Sequence, residues 1–302
     1  MNYRGKLSVL SALAGGEQVL IYVNGGGVSC VFSLGVLVSL VRANLNKFAV
    51  RYGGSGGALI LAASISNPEK LESVLDVFEY LVCGGFLCLK RGPLGFPYPV
   101  FDIEELIQTL EGKRAHLGLP ALDEEKIRSH PDPFRVAVTD NKTGKGRFLD
   151  VKPHVFRALR ATASVQGACD PVEMNGREFS DGQVGMKIGP ALGMAVKYVL
   201  VIMNRPPIEE RAWWEQQFSP MLARILLASE TPGLRKAAAE MDTVFSRGLR
   251  RLEACSHVET LVLYPNWVED ILPLTSNLPL IRLAYHSGMN ATERLIERVH
   301  AV

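Results

Sequence analysis

A serine with glycines on both sides is the first group in the sequence that could do covalent chemistry. It stands in Gly53-Gly54-Ser55-Gly56-Gly57, between a predicted strand at 48–52 and a predicted helix at 58–66. The pattern G-x-S-x-G between a strand and a helix is typical of a nucleophile elbow, whose tight turn tolerates only very small neighbours such as Gly53 and Gly57. The helix N-terminus would favour negative charge developing beside Ser55. A glycine-rich turn with an incidental serine is the alternative.

A second glycine cluster, Gly25-Gly26-Gly27, lies between a predicted strand at 18–23 and a predicted apolar helix at 28–45. Successive backbone N–H groups without side chains can converge on one oxygen atom, so this loop predicts an oxyanion hole or a phosphate cradle. The dinucleotide pattern G-x-G-x-x-G requires a third glycine where Cys30 stands, and the sequence contains no P-loop motif.

A third motif, Ser180-Asp181-Gly182-Gln183, supplies a carboxylate late in the chain. Most Asp-Gly pairs are only turns, so this motif gains meaning from its position after the two glycine clusters. The six histidines are dispersed and show no metal-ligand spacing, and no metal site is expected. His257 and His286 keep a Ser–His–Asp triad open as an alternative.

These motifs require strands and helices that alternate along the chain. Further strands are predicted at 134–139, 147–151, 198–203 and 260–264. Helices are predicted from Asn67-Pro68, from Asp102, at 155–163, over 209–254 with a break at Pro232-Gly233, and at 290–300. The alternation predicts an α/β fold of three layers, with a mostly parallel central sheet between helices. Without repeats or a long linker, residues 1–302 are expected to form one domain.

The composition excludes some classes of protein. The 302 residues are 47% hydrophobic and 21% charged, which excludes global disorder, and the formal net charge of +2 does not predict binding to nucleic acid. Five scattered cysteines favour a reducing compartment over a disulfide framework. Neither a signal peptide nor a membrane-spanning run is predicted, so a cytoplasmic protein is expected, with peripheral membrane contact left open.

The order of the three motifs resembles the patatin-like phospholipase family. Segments 137–144 (AVTDNKTG), 158–164 (ALRATAS) and 175–182 (NGREFSDG) add to the likeness, which is clearest over residues 18–203. Residues 204–302 add a helical region, a last strand and a closing helix. The resemblance implies a Ser–Asp dyad in which Ser55 is the nucleophile and Asp181 its partner. Gly25, Gly26 and Gly27 would form the oxyanion hole.

The same resemblance implies hydrolysis of phospholipid or lysophospholipid esters through an acyl-enzyme, without a cofactor or metal. The sequence departs from the family at Val28-Ser29-Cys30, where a basic residue and a glycine usually follow the glycine loop, and at Gln183, which could narrow the pocket. These departures motivate one alternative, a catalytically weak or partner-gated module that binds lipid or protein. A second alternative is a phosphate- or nucleotide-binding α/β module built on Gly25, Gly26 and Gly27.

Three other segments are open to more than one interpretation. Residues 84–99 mix glycines and prolines with large apolar side chains, which fits a lipid-contacting flap or an ordinary packed loop. An apolar stripe at helical spacing fits a core helix or a membrane anchor; its members are Trp213, Trp214, Phe218, Met221, Leu222 and Ile225. Arg247, Arg250 and Arg251 fit a solvated helix face, a complement to the helix dipole or a patch for anionic lipid.

Overall fold

The computed structural model describes residues 2–83, 87–91, 97–114, 118–186, 188, 196–211, 216, 227, 230–266 and 275–301. The strands are β1 Asn2–Gly5, β2 Val19–Val23, β3 Val50–Gly54, β4 Leu87–Arg91, β5 Pro97–Phe101, β6 Phe134–Asp140, β7 Gly146–Asp150, β8 Val172–Met174, β9 Arg177–Asp181, β10 Tyr198–Ile202 and β11 Glu259–Tyr264. The α-helices are α1 Ser8–Ala14, α2 Val31–Arg42, α3 Gly56–Ser66, α4 Val74–Cys83, α5 Ile103–Leu110, α6 Glu124–Ser129, α7 Val155–Ala163, α8 Pro232–Glu253 and α9 Leu278–His300.

The main sheet has the strand order β1-β11-β10-β2-β3-β6-β9-β8, and β7 also pairs with β6. Its centre, from β11 to β6, is parallel, whereas β1, β7, β8 and β9 pair antiparallel. Strands β2, β3 and β10 are buried at every position, as expected for parallel strands covered on both faces. The predicted α/β fold with a mostly parallel sheet is confirmed.

Alternate residues of β2 enter two separate cores, because successive side chains of a strand point to opposite faces of the sheet. Val19, Ile21 and Val23 pack with residues of α1, α2, α3 and α9. Leu20 and Tyr22 pack on the other face with residues of α8. The sheet therefore lies between two helical layers, which gives the three-layer arrangement.

Most of the predicted elements are present, and the differences have local causes. The helix expected from Asn67-Pro68 is a 3₁₀ segment, Pro68–Ser73, before α4, and the Asn67 amide donates to the Ala121 carbonyl at 3.1 Å instead of capping it. The expected cap at Asp102 is present, since its carboxylate accepts from the Glu104 and Glu105 N–H groups, each at 3.1 Å. Pro232, expected to break a helix, begins α8.

The chain ends contribute more structure than expected. Strand β1 adds to the edge of the sheet beside β11, and α9 begins twelve residues before the predicted start at Asn290. Asn277 caps α9 by accepting a hydrogen bond from the Leu280 N–H at 3.3 Å, with Pro279 in the first turn. Pro279 and Gly288 weaken the sequence signal for this helix, because both residues have low helix propensity.

Part of the uncertain segments lies outside the described residues. Within 84–99, β4 and β5 pair antiparallel, while 84–86 and 92–96 are not described. The apolar stripe from Trp213 to Ile225 is also outside the description. Arg247, Arg250 and Arg251 are exposed on α8, and the last two occupy its final turn, as the helix dipole favours. No described helix combines the length and apolar character needed to cross a membrane.

Helices α2 and α9 cross at two glycines, and this contact binds the C-terminal helix to the rest of the fold. A Cβ atom on Gly35 would overlap the Tyr285 carbonyl oxygen and lie 2.8 Å from the Met289 nitrogen. A Cβ atom on Gly288 would similarly overlap the Phe32 carbonyl oxygen. The two backbones can therefore approach this closely only where side chains are absent.

We expect Gly35→Ala to lower the free energy of unfolding by about 1–2 kcal/mol, because an overpacking cost of up to about 3 kcal/mol outweighs the gain of about 1 kcal/mol in helix propensity. Urea denaturation followed by circular dichroism measures this change. Gly15→Ala is the matched control, since Gly15 has a φ of −76° and its added Cβ would lie 3.4 Å from the nearest atom, the Ser11 carbonyl oxygen. Equal midpoints for the two variants would contradict the close crossing.

Candidate active site

Ser55 occupies a strained turn between β3 and α3. Its φ of 50° and ψ of −133° lie where side-chain-bearing residues rarely occur. Two hydrogen bonds hold the turn: the Ser55 N–H donates to Thr162 Oγ1 at 3.0 Å, and the Ala58 N–H donates to the Ser55 carbonyl at 2.9 Å. Thr162 in turn donates to the Ala137 carbonyl on β6 at 2.5 Å. Helix α7 therefore fastens the strained turn to the sheet.

The glycines around Ser55 are required by close packing. A Cβ on Gly53 would lie 2.6 Å from Ala58 Cα, and a Cβ on Gly57 would lie 2.7 Å from the Val23 carbonyl oxygen. A Cβ on Gly56 would lie 2.8 Å from Cys30 Sγ. Strand β3, helix α3 and the glycine loop consequently meet at a distance that only glycine permits.

The pairing of β6 brings Asp181 to Ser55. Strand β6 pairs with β3 as far as Gly54 opposite Ala137, and with β9 from Asp181 opposite Val138. Strand β7 overlaps both of these stretches, so it must occupy the other edge of β6. Strands β3 and β9 therefore share one edge end to end. Their last residues meet where one strand stops and the other begins.

Both the carboxylate and the backbone carbonyl of Asp181 accept hydrogen bonds. It accepts a hydrogen bond from the Ser55 hydroxyl, and its Oδ1 accepts another from the Gln183 N–H at 2.8 Å. The Asp181 carbonyl accepts from Thr139 Oγ1 at 2.7 Å and from Gln166 Nε2 at 2.6 Å. Gly182 has no room for a side chain, because a Cβ there would overlap the Ala137 carbonyl. The Asp-Gly pair is thus a turn that also orients a carboxylate.

Burial raises the pKa of Asp181 to about 6, and the hydrogen bonds from Ser55 and Gln183 oppose that rise by stabilising the charged form. Only 4% of the residue is exposed. A carboxylate with this pKa is ionised at neutral pH but is a stronger base than an exposed one. It can therefore accept a proton from the hydroxyl to which it is hydrogen-bonded.

The glycine loop lies directly against Ser55. A Cβ on Gly25 would lie 2.8 Å from the Ser55 Cβ, and the Gly25 N–H donates to Asn24 Oδ1 at 3.0 Å. The N–H groups of Gly26 and Gly27 donate to no acceptor within the described parts of the chain. Gly27 has a φ of 56°, which favours glycine. These two N–H groups, at the start of a 3₁₀ turn, are available to an oxyanion.

A buried polar network, not anticipated from the sequence, lies under this loop. Asn204, just beyond β10, donates to the Asn24 carbonyl at 2.5 Å and to Cys30 Sγ at 3.3 Å, and accepts from Ser33 Oγ at 2.5 Å. Ser29 donates to the Gly26 carbonyl at 2.7 Å.

Burial, and secondarily Asp181, raise the pKa of the Cys30 thiol, which therefore stays neutral. The family's usual basic residue and glycine are thus replaced by groups that bond within the loop. In a single sequence, an asparagine after a strand gives no signal of this role.

Ser55 and Asp181 open into a cavity of about 420 Å³. Side chains of α3, α4 and α5 make most of it apolar, including Leu59, Val74, Phe78, Leu81, Ile103 and Leu106. Gln183 also lines it, as expected from its position after the aspartate. The site therefore combines one reactive polar end with an apolar chamber.

Neither histidine of the alternative triad is placed at this cavity. His257 contacts Cys255 Sγ at 3.2 Å, and the His286 ring packs edge-on against Tyr285 at 5.1 Å. Among the described residues that line the cavity, none is a histidine. Within the described ranges, no three His, Cys, Asp or Glu side chains come together so as to hold a metal ion.

Comparison with known proteins matched a family model and several distantly similar solved structures, of which two are described. The family model described as patatin-like phospholipase matches residues 22–191. The crystal structure of VipD from Legionella pneumophila is 12% identical, with a TM-score of 0.44, over 93% of this chain and 67% of that one. The crystal structure of the type III effector protein ExoU is 13% identical, with a TM-score of 0.29, over 93% and 62%. None of the curated proteins compared with the chain matches it.

The matched segment is more than half of the 302 residues, and it begins in β2 and ends after Asp181. It contains the strained serine turn, the glycine loop and the carboxylate that shares the edge of β6. The chain therefore belongs to the patatin-like phospholipase family.

Proposed function

We propose that the chain is a serine acyl hydrolase that cleaves fatty-acyl esters of phospholipids or lysophospholipids with a Ser55–Asp181 dyad. The observation that carries the proposal is the hydrogen bond between Ser55 and the buried Asp181 carboxylate at the polar end of an apolar cavity. An apolar chamber suits an acyl chain, and the polar end suits the ester that joins this chain to the rest of the lipid. Family membership supports a lipid acyl hydrolase at the coarser level.

In the proposed acylation step, Ser55 Oγ attacks the ester carbonyl carbon as Asp181 accepts the hydroxyl proton. The carbonyl oxygen becomes an oxyanion and accepts hydrogen bonds from the Gly26 and Gly27 N–H groups. The Gly25 N–H donates to Asn24 in this structure, so its part would require that hydrogen bond to open. Collapse of the intermediate breaks the ester bond, and Asp181 returns the proton to the departing alkoxide.

Deacylation repeats these steps with water as the nucleophile. Asp181 takes a proton from the water as its oxygen attacks the acyl-enzyme carbonyl carbon, and then returns the proton to Ser55 Oγ. The fatty acid leaves and the hydroxyl is regenerated. Because a carboxylate is ordinarily a weaker base than imidazole, it is burial that makes Asp181 basic enough for this role, while the hydrogen bond from Ser55 aligns the hydroxyl for proton transfer.

The two alternatives receive less support from the site. Ser29 and Cys30 are buried and bond within the loop, so the departures from the family pattern leave the Ser55–Asp181 contact in place. The largely apolar lining is unsuited to a nucleotide, whose base, sugar and phosphates need many polar partners. Peripheral membrane contact stays a prediction.

Ser55 is the proposed nucleophile, and covalent labelling tests its reactivity. A fluorophosphonate probe should label the wild-type protein and leave Ser55→Ala unlabelled, because only an activated hydroxyl attacks the phosphorus. Gel fluorescence and intact mass measure the labelling. Ser64→Ala on α3 is the control and should label like the wild type, since Ser64 Oγ donates to the Leu61 carbonyl at 2.7 Å, away from the cavity lining. A folded Ser55→Ala protein that still labels would overturn the assignment.

Asp181→Asn should lower turnover by on the order of 10³-fold, because dyad members act as a unit. It should also stabilise the protein at about pH 8, by roughly 3 kcal/mol at most, since it removes a buried charge. The sign of this stability change follows from the raised pKa of Asp181. Between the ordinary value of 3.8 and about 6 the folded state binds more protons than the unfolded state, so the wild type loses stability as pH rises.

Activity on an uncharged ester and urea unfolding at about pH 8 and about pH 4 measure the two effects; the stability gain should disappear at the lower pH. Asp170→Asn serves as the matched control, because Asp170 is exposed and precedes the same strand pair. A variant with reduced activity and reduced stability at both pH values would indicate a structural defect instead of a lost base.

The pH dependence of kcat/KM should report the ionisation of the Asp181 carboxylate in the enzyme without bound substrate. We expect kcat/KM for an uncharged, soluble ester to rise about tenfold per pH unit below about 6 and to level off above it, because Asp181 must be ionised to accept the proton. Initial rates across this range test the midpoint. A midpoint near the ordinary value of 3.8 would show that the carboxylate is not desolvated in the free enzyme.

A further inference from the structure

The apolar chamber follows one face of α3, the helix that begins directly after Ser55. The residues of α3 that line the chamber are Gly56, Leu59, Ile60 and Ala63. Their spacing of three and four residues places them on one side of the helix. Ala63 lies eight residues after Ser55, which is about 12 Å along the axis at 1.5 Å per residue. The chamber therefore extends for about two turns of α3 away from the reactive end.

Helix α5 also lines the chamber and starts near the reactive end. In its first turn, Glu104 pairs with Arg160 on α7 at 3.3 Å, and α7 also carries the threonine that bonds to Ser55. The last residue of α5, Leu110, lines the chamber as well. The Leu110 carbonyl accepts a hydrogen bond from the Leu122 N–H at 2.8 Å. Helix α5 thus starts beside the reactive end and ends next to the segment that contains Leu122.

The same segment also contacts the far end of α3. The side-chain amide of Asn67, which follows α3, donates to the Ala121 carbonyl at 3.1 Å. A 3₁₀ segment then leads directly from Asn67 to Val74, the first residue of α4, which lines the chamber too. The end of the chamber far from the nucleophile is therefore bordered by three helices, through Ala63, Val74 and Leu110.

Packed groups lie behind this far end. Ala63, Val74 and Leu110 are all buried members of one hydrophobic core. No described residue of α3 after Ala63 lines the chamber, although the helix continues to Ser66. Ser66 is fully buried, and its hydroxyl accepts a hydrogen bond from the Asp123 N–H, the cap of α6, at 2.5 Å. Within the described parts of the chain, the chamber thus ends blindly at these three side chains.

An acyl chain whose ester lies at Ser55 must enter a blind chamber with its methyl end first. An extended chain advances about 1.2 Å per bond, as the protein backbone does over three bonds per residue, so about ten carbons reach Ala63. Each methylene strengthens binding until the chain meets the wall, and a longer chain must bend or stay partly outside. We propose that Ala63, with Val74 and Leu110, sets the acyl length that the site selects, with an optimum near ten carbons. This inference rests on the proposed acyl hydrolase function.

A series of p-nitrophenyl esters from butanoyl to dodecanoyl tests the length profile, because all of its members share one leaving group. In the wild type, kcat/KM should rise roughly fourfold per added carbon as far as the decanoyl ester and then stop rising. Ala63→Leu should lower kcat/KM for the decanoyl ester roughly 10- to 20-fold, the value of about two methylenes, and leave the butanoyl ester within about twofold. Leu110→Ala should move the optimum to longer chains, because it deepens the chamber.

Ser64→Leu is the matched control for bulk added to the same helix. Ser64 donates to the Leu61 carbonyl at 2.7 Å and does not line the chamber, so the length profile of this variant should be that of the wild type. An Ala63→Leu protein with an unchanged profile would remove residue 63 from the end of the chamber. An equal loss on every ester would instead assign a structural role to Ala63. Both results overturn the inference.

Binding to Ser55→Ala separates this inference from the proposed function. The ligands are lysophosphatidylcholines from hexanoyl to tetradecanoyl, each below the concentration at which it forms micelles, and calorimetry measures their affinities. Affinity should stop rising near the decanoyl chain, and at a shorter chain when Ala63→Leu is added. If the wild type hydrolyses no ester but this pattern holds, the hydrolase proposal fails and the length limit stands. Ester hydrolysis with affinities that rise through tetradecanoyl in both proteins would leave the hydrolase standing and overturn the length limit.

Discussion

One edge of β6 carries two strands in succession, and the site depends on this arrangement. Strand β3 leaves the edge at Gly54 and β9 takes it up at Asp181, so a parallel and an antiparallel partner meet end to end. The residue that follows β3 and the last residue of β9 must then be neighbours, whatever their side chains. With serine and aspartate at these two positions, backbone hydrogen bonds of the sheet set the distance between the proposed nucleophile and its base. Thr162, which bonds both to Ser55 and to β6, reinforces the same junction from α7.

The junction also contains two energetically unfavourable features, one of backbone conformation and one of solvation. It holds a serine with positive φ and a carboxylate removed from water, and each of these costs free energy in isolation. The surrounding structure over-determines both, through the first turn of α3, the turn at Gly182 and the N–H of Gln183. Strain and desolvation concentrated at one point, within well-packed neighbours, are typical of sites that perform chemistry.

The sequence predicted what depends on local sterics and periodicity. Glycines around Ser55 and before Val28 signalled tight turns, apolar runs signalled the central strands, the alternation of strands with helices predicted the layers, and resemblance to a family gave the candidate dyad. It did not predict Asn204 or Thr162, because their roles arise from hydrogen bonds across more than a hundred residues of chain. It also missed β1, an exposed edge strand whose pairing with β11 is set by the fold, and the first half of α9, where glycine and proline mask the helical pattern.

The position of Asn204 has a consequence for how the molecule can be divided. Asn204 and the whole of α9 lie beyond residue 191, where the family match ends. Asn204 nevertheless hydrogen-bonds to the glycine loop, and α9 covers α2, the helix that follows this loop. A recombinant fragment cut at the boundaries of the match would lose the amide beneath the loop and expose Phe32 and the glycine seam at Gly35 to water. The contacts that hold the glycine loop and cover α2 thus extend beyond the segment matched by the family model, as far as the C-terminal helix.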